Sequence, residues 1–164
     1  MSSNKRIIIR IIAFVIAVLI AVFIFAMSSQ SRKESADTSG GIIRKIAEFL
    51  NGDFDEMTEA EQTECIESFQ FIVRKAAHFS LYAALCYFLG VAMMTFSSLS
   101  YKWRYLIAYC SSVIYAASDE IHQLFVPGRG CQFRDVCIDA CGAAFGLLLV
   151  WLCFVIYKKA RKAK

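Results

Sequence analysis

Four apolar stretches divide this chain of 164 residues: Ile7 to Met27, about Ala76 to Phe96, about Trp103 to Leu124, and Val136 to Tyr157. Each is close to the roughly 20 residues that a helix needs to cross a ~30 Å hydrocarbon core. Backbone groups left unpaired in lipid are costly, so helical spans are obligatory. Composition agrees, with 58% hydrophobic residues, 14 Phe and a single Pro. A soluble domain of this size has no need of so much apolar surface. The expected fold is therefore all-α, a four-helix transmembrane bundle forming one domain over residues 1–164.

Charge is distributed one-sidedly. With the N-terminus inside, the inner segments hold Lys5, Arg6 and Arg10, then Lys102 and Arg104, then Lys158, Lys159, Arg161, Lys162 and Lys164. They contain no acid. Apart from Asp139, every Asp and Glu falls between Ser28 and Lys75 or between Asp119 and Asp135. Lys and Arg near span ends stay inside, so both termini are expected in the cytoplasm. The net charge of +4 then points to anionic inner-leaflet lipids rather than nucleic acid. The first stretch is longer than the roughly 7–15 residues of a signal-peptide core, so it reads as a retained span. Cleavage near Ala26 to Ser29 is the alternative.

The third stretch carries the most information. Its apolar run reaches only from Trp103 to Ala117, and Ser118-Asp119-Glu120-Ile121-His122-Gln123 must complete the crossing. Ionisable groups at membrane depth are expensive, so they mark a functional site by default. At helical spacing Asp119, His122 and Gln123 share one face, and Glu120 is turned about 100° away. Lys75, His78 and Tyr82 make a similar stripe at the outer mouth of the second span, and Asp135, Asp139, Gly142 and Gly146 one at the start of the fourth. The first span ends at the same depth with Ser28, Ser29, Gln30 and Ser31. These groups are expected to converge on a pocket open to the outside. The bland alternative is a set of interhelical hydrogen bonds that locks the bundle; Tyr82 and Gln123 suit packing or hydrogen bonding, and the Gly142/Gly146 GxxxG suits close helix approach.

Between the third and fourth spans, Val126-Pro127-Gly128-Arg129-Gly130 reads as a tight turn presenting Arg129, with Arg134 nearby. A guanidinium takes phosphate or carboxylate through two parallel hydrogen bonds, or neutralises Asp119, Asp135 or Asp139. The outer segment, about residues 38–75, has no Pro. Ile42, Ile43, Ile46, Ala47, Phe49 and Leu50 recur at helical spacing, which predicts an amphipathic helix on the outer surface. Asn51-Gly52-Asp53 ends it, and Thr58 with Glu61 resembles a capping box starting a second helix. That segment serves as a lid or merely packs. Seven cysteines include no CxxC pair. Five lie in or beside spans and behave as small apolar residues; a Cys65–Cys131 bridge stays open.

The Lys75-x-x-His78-Phe79-x-x-Tyr82, Ser118-Asp119-Glu120-x-His122-Gln123-x-Phe125-Val126-Pro127-Gly128-Arg129 and Asp135-Val136-x-x-Asp139-x-x-Gly142 motifs resemble those of the VanZ-like family of bacterial membrane proteins. Ser28-Ser29-Gln30-Ser31 resembles the family's usual ending of the first span. Gly130-Cys131 departs from it, where small polar residues are more usual. The resemblance implies an outer-leaflet setting in the bacterial cytoplasmic membrane. It also implies a connection to teicoplanin, since the founding member is associated with low-level resistance to that glycopeptide antibiotic.

Two expectations follow. In one, Lys75, Gln123, Arg129, Arg134, Asp135, Asp139, Ser29 and Gln30 bind the headgroup of a lipid-linked peptidoglycan precursor or a glycopeptide, alongside membrane lipids. In the other, the chain is an intramembrane hydrolase or transferase. His78 or His122 is then the general base, Asp119 or Glu120 orients it, and arginine stabilises developing charge. No cofactor is expected. A metal held by His78, His122, Asp119 and Asp139 is the less favoured variant, because the compact HExxH spacing is missing. Four spans without repeats or broken helices give a transporter little support.

Overall fold

The structure, a computed structural model, describes residues 2–162. Lys164, counted above with the basic tail, lies outside them. Five helices follow in order: α1 (Ser3–Ser28), α2 (Arg32–Leu50), α3 (Glu59–Met94), α4 (Tyr101–Gln123) and α5 (Phe133–Lys162), with a 3-10 turn at Phe54–Glu56. The described residues contain no strand. The all-α expectation holds.

Three of these helices, α1, α3 and α5, are long and apolar enough to cross a membrane. The stretch expected to be the third span forms α4, which is not among them. Its 23 residues suffice in length, but Arg104, Ser111, Ser112, Ser118, Asp119, Glu120, His122 and Gln123 dilute its hydropathy. Packing places it firmly all the same, since it lies against α3 and α5 and touches α1.

Helix directions follow from which ends meet. Near the start of α1, Arg10 Nε donates to Thr95 Oγ1 at 2.9 Å beyond the end of α3, and its guanidinium covers the Phe96 ring at 3.7 Å. Ser28 at the other end of α1 reaches Asp119 near the end of α4. Helices α1 and α4 therefore run one way and α3 and α5 the other. Arg6, Lys158 and Arg161 line one recess at the first of these ends, so the start of α1 and the end of α5 lie at the same end of the bundle.

The tightest crossing joins α3 to α5. A methyl group at Gly142 would run into the Phe79 carbonyl, and one at Gly146 into the Ala83 carbonyl. Only hydrogen fits at either place, which is how a GxxxG lets two backbones approach. On the α1 side small and large residues interlock: Ala17, Ile24, Tyr82, Leu85 and Ala116 form one buried cluster across α1, α3 and α4. The outer face of α1 instead exposes half or more of Ile8, Ile11, Ile12, Val15 and Leu19, an arrangement suited to hydrocarbon.

The segment between α1 and the spanning part of α3 is more helical than its periodicity predicts. α2 begins at Arg32, ahead of the apolar repeat, because Ser31 and Glu34 form a complete capping box. Asn51 terminates it as expected, its amide bonding Ala47 O at 2.9 Å. Thr58 and Glu61 form the second box and start α3, which then runs 36 residues without a break. At 1.5 Å per residue that is about 54 Å, well beyond a ~30 Å hydrocarbon core. The apolar repeat of α2 divides between two faces. Ile43 and Ala47 turn inward, while Ile42, Phe49 and Leu50 stay exposed. Cys65 and Cys131 are both free thiols; Cys65 accepts from Asn51 Nδ2 at 3.2 Å.

Candidate functional site

At the end of the bundle away from the termini, the last turns of α4 hold two adjacent carboxylates that face different neighbours. Asp119, 3% exposed, points toward α1. Its Oδ2 accepts from Ser28 Oγ at 2.8 Å and from Gln123 Nε2 at 3.2 Å. One turn on, His122 Nε2 meets Ser29 Oγ at 3.1 Å, and its ring stacks on Phe25 with centroids 4.6 Å apart. The shared face of Asp119, His122 and Gln123 is thus taken up largely by the end of α1.

Glu120, 1% exposed, turns the other way. Its Oε2 accepts the backbone N–H of Gln132 at 3.0 Å, which holds the α4–α5 connection against the site. With Lys75, His78, Arg129, Asp135 and Asp139 it lines a polar cavity of about 260 Å³. Across that cavity Lys75 Nζ pairs with Asp135 Oδ2. His78 Nδ1 lies 3.6 Å from Asp139 Oδ2, an ion pair only when the imidazole is protonated. That separation is longer than a hydrogen bond.

Tyr82 sits between the two groups of acids. It is fully buried and its hydroxyl has no hydrogen-bond partner. Asp119, Asp139 and Glu120 all lie within its electrostatic reach, and His78 stacks beside its ring at 6.4 Å. Four helices consequently contribute to one contiguous polar core.

Arg129 is delivered by the turn. Gly128 adopts φ 75°, a left-handed conformation that glycine allows at no steric cost, and the Arg129 amide bonds Val126 O at 3.1 Å. The Arg129 Nη2 donates to Met27 O at 3.3 Å, while its Nε is buried without a partner. Burial and then the nearby Arg74 pull this guanidinium below its ordinary value, opposed by Asp119 and Glu120. It nonetheless keeps its charge.

A second, larger cavity of about 900 Å³ lies alongside. Phe23, Ile24, Met27, Ile43, Val73 and Leu81 supply most of its apolar wall. Arg74, His78 and Arg129 line both cavities.

Not every residue singled out by spacing joins this arrangement. Arg134 is exposed and lies 5.2 Å over the Phe71 ring, outside both cavities. Gln30 lines neither; its Oε1 is buried without a partner. His122 and Ser29 face each other at the α1 edge, away from His78 and Asp139. Among the described residues no three His, Cys, Asp or Glu side chains converge as metal ligands. The quartet His78, His122, Asp119 and Asp139 is split by these placements.

A protein-family model described as VanZ/LLP1 matches residues 13–155. The chain belongs to the VanZ/LLP1 family. No curated protein and no solved structure gives a significant match. The VanZ/LLP1 match begins within α1 and ends within α5, so it spans every residue of the site.

Arg74 of this VanZ/LLP1 site was not among the residues singled out by spacing, and Ser28 and Tyr82 stood in the polar stripes without a binding or chemical role assigned to them. Each left a trace in the pattern. Ser28 opens the polar ending of α1, and Arg74 and Tyr82 stand four residues either side of His78, on its helical face. Their neighbours come from other helices, which spacing within one helix does not reveal.

Proposed function

We propose that this VanZ/LLP1 chain is a bacterial cytoplasmic-membrane protein whose outer-leaflet polar cavity binds the headgroup of a lipid-linked or glycopeptide molecule. In this reading α4 is the fourth span. Its 23 residues extend about 34 Å at 1.5 Å per residue, and its polar end is sheltered by α1, α3 and α5 rather than facing lipid. Both termini are cytoplasmic, because the end of the bundle that holds them also gathers Arg6, Arg10, Lys158 and Arg161. The opposite end, with the cavity, then faces outward.

One observation carries the binding reading. Buried polar side-chain atoms without a hydrogen-bond partner are rare in folded proteins. Among the described residues three of them belong to the lining of the polar cavity, Arg129 Nε, Asp135 Oδ1 and Asp139 Oδ2, and two more, Tyr82 Oη and Asp119 Oδ1, to the polar core around it. A structural lock would consume its own donors and acceptors. These atoms are arranged to meet groups from another molecule or from ordered water.

The pair His78 and Asp139 favours a second reading, hydrolysis or transfer on a lipid-linked substrate. An imidazole beside a buried carboxylate is a general base with its orienting group, and such contacts tighten when substrate binds. Purified protein incubated with labelled peptidoglycan precursor and labelled phospholipid separates the two. Product that disappears in His78→Ala but persists in His122→Ala establishes chemistry. Saturable retention of unchanged lipid, weakened in Asp139→Asn, establishes binding. A contribution to teicoplanin or lipoglycopeptide resistance is tested apart, by susceptibility of matched strains with and without the gene.

A further inference from the structure

The two cavities differ in chemistry yet share a wall, and that wall carries two guanidiniums. Arg74 projects from α3 and Arg129 from the α4–α5 turn, close enough for Arg74 to repel Arg129. The other basic groups of the polar cavity face carboxylates, Lys75 paired with Asp135 and His78 lying 3.6 Å from Asp139. Among the described residues neither Arg74 nor Arg129 has a carboxylate at ion-pair distance. Asp119 and Glu120 offset part of this repulsion without closing to ion-pair distance, so the pair, with its buried and unpartnered Arg129 Nε, is open to a further anion.

Size restricts that anion. The polar cavity has a volume of about 260 Å³, below the roughly 300–1,000 Å³ of pockets that enclose drug-sized ligands. A phosphate ester fits. A disaccharide carrying a peptide does not, and neither does a glycopeptide antibiotic. Next to the same guanidiniums, the cavity of about 900 Å³ with its mainly apolar wall suits hydrocarbon.

We propose that the ligand is a single amphiphile, a long-chain lipid with a small phosphate headgroup, its phosphate clamped by Arg74 and Arg129 and its chain lying in the larger cavity. The proposal rests on the binding reading above and narrows it. Guanidinium forks match phosphate oxygens in pairs, and Ala77 on the wall of the chain cavity leaves room that a larger side chain would fill. The bulk of a larger headgroup, that of the lipid-linked peptidoglycan precursor included, would have to stand outside the polar cavity, which favours a small phosphate ester at the clamp.

The test uses full-length protein in phosphatidylcholine nanodiscs and four probes: hexadecyl phosphate, hexadecanol, inorganic phosphate, and hexadecyl diphosphate bearing a disaccharide-pentapeptide. Hexadecyl phosphate should bind saturably and about tenfold or more tightly than each of the others, since only it satisfies clamp and chain cavity together. Arg74→Gln, Arg129→Gln and Ala77→Phe should each weaken it by about tenfold, while Arg44→Gln on α2 leaves it unchanged. Arg129→Lys, which keeps the charge and loses the fork, should weaken it as well, and circular dichroism confirms that each variant is folded. Equal binding of hexadecanol or of inorganic phosphate overturns the amphiphile. Equal affinity in folded Arg74→Gln and Arg129→Gln overturns the clamp. Preference for the disaccharide-pentapeptide probe leaves a binding site in place but refutes the small headgroup, whereas retention of none of the four refutes both.

Discussion

Ser28 and Asp119 show how much of the site is settled by single hydroxyls. The Ser28 Oγ–Asp119 Oδ2 bond of 2.8 Å is buried and joins helices 91 residues apart in sequence. Removing the donor leaves a buried carboxylate short of one partner, which typically destabilises by about 1–3 kcal/mol. Ser28→Ala should accordingly lower the thermal midpoint in detergent, and Ser29→Ala, at the exposed edge, much less. Equal midpoints for the two would count against this account. At this scale the sequence was informative about chemistry and less so about company. Lys75, His78, Glu120, Asp135 and Asp139 could be chosen because a charged residue at membrane depth needs a reason. Arg129 over Arg134 could not, because the left-handed Gly128 and the Gln132–Glu120 bond decide which arginine turns inward.

Among the elements, α3 and α5 depend most on what is missing from their side chains. Placing a methyl at Gly146 forces it against the Ala83 carbonyl, and neither backbone yields cheaply. Gly146→Ala should destabilise by about 1–3 kcal/mol, as overpacking does. Gly41 in α2 has nothing near it, so Gly41→Ala should be neutral or stabilise by up to about 1 kcal/mol, glycine being a poor helix former. Paired melting curves check both signs.

The start of α3 has a pH dependence of its own. Glu61 Oε2 accepts the Thr58 backbone N–H and then its hydroxyl, each at 2.8 Å, and these bonds hold the carboxyl below the usual carboxylate range. A depressed folded value means that the support is complete above the ordinary value of 4.5 and is lost as pH falls through the folded one. The Thr58 amide resonance should therefore titrate together with Glu61; a pH-independent shift would contradict the capping role. This box was legible because Thr and Glu stand three apart before an apolar run. The Ser31/Glu34 box obeys the same rule, but the polar residues that follow it concealed the helix.

For the molecule as a whole, the decisive quantity is which side each end occupies. Cys131 is exposed in the α4–α5 connection at the cavity end, and Lys159 is exposed near the opposite end. In cells carrying a variant whose only surface thiol is Cys131, a membrane-impermeant maleimide should label it without permeabilisation. A Lys159→Cys variant lacking Cys131 should react only after permeabilisation. The reverse pattern would invert the bundle and bring the cavity to the cytoplasm. The long helices were readable from the four apolar stretches, three of which form helices long and apolar enough to cross a membrane. α4 is the exception in composition because it trades hydropathy for the site's acids, a trade that makes sense only once its neighbours are seen to enclose them.

The glycine notch between α3 and α5 bears on the chemistry as well. Phe79, whose carbonyl lies over Gly142, immediately follows His78, and Gly142 comes one turn after Asp139. The spacing of the two backbones beneath imidazole and carboxylate is therefore gauged by main chain resting on main chain, while the side chains above it can still close. A visitor to the pocket meets rings and forks that can close on it, but the main chains that carry them stand at a fixed jaw width.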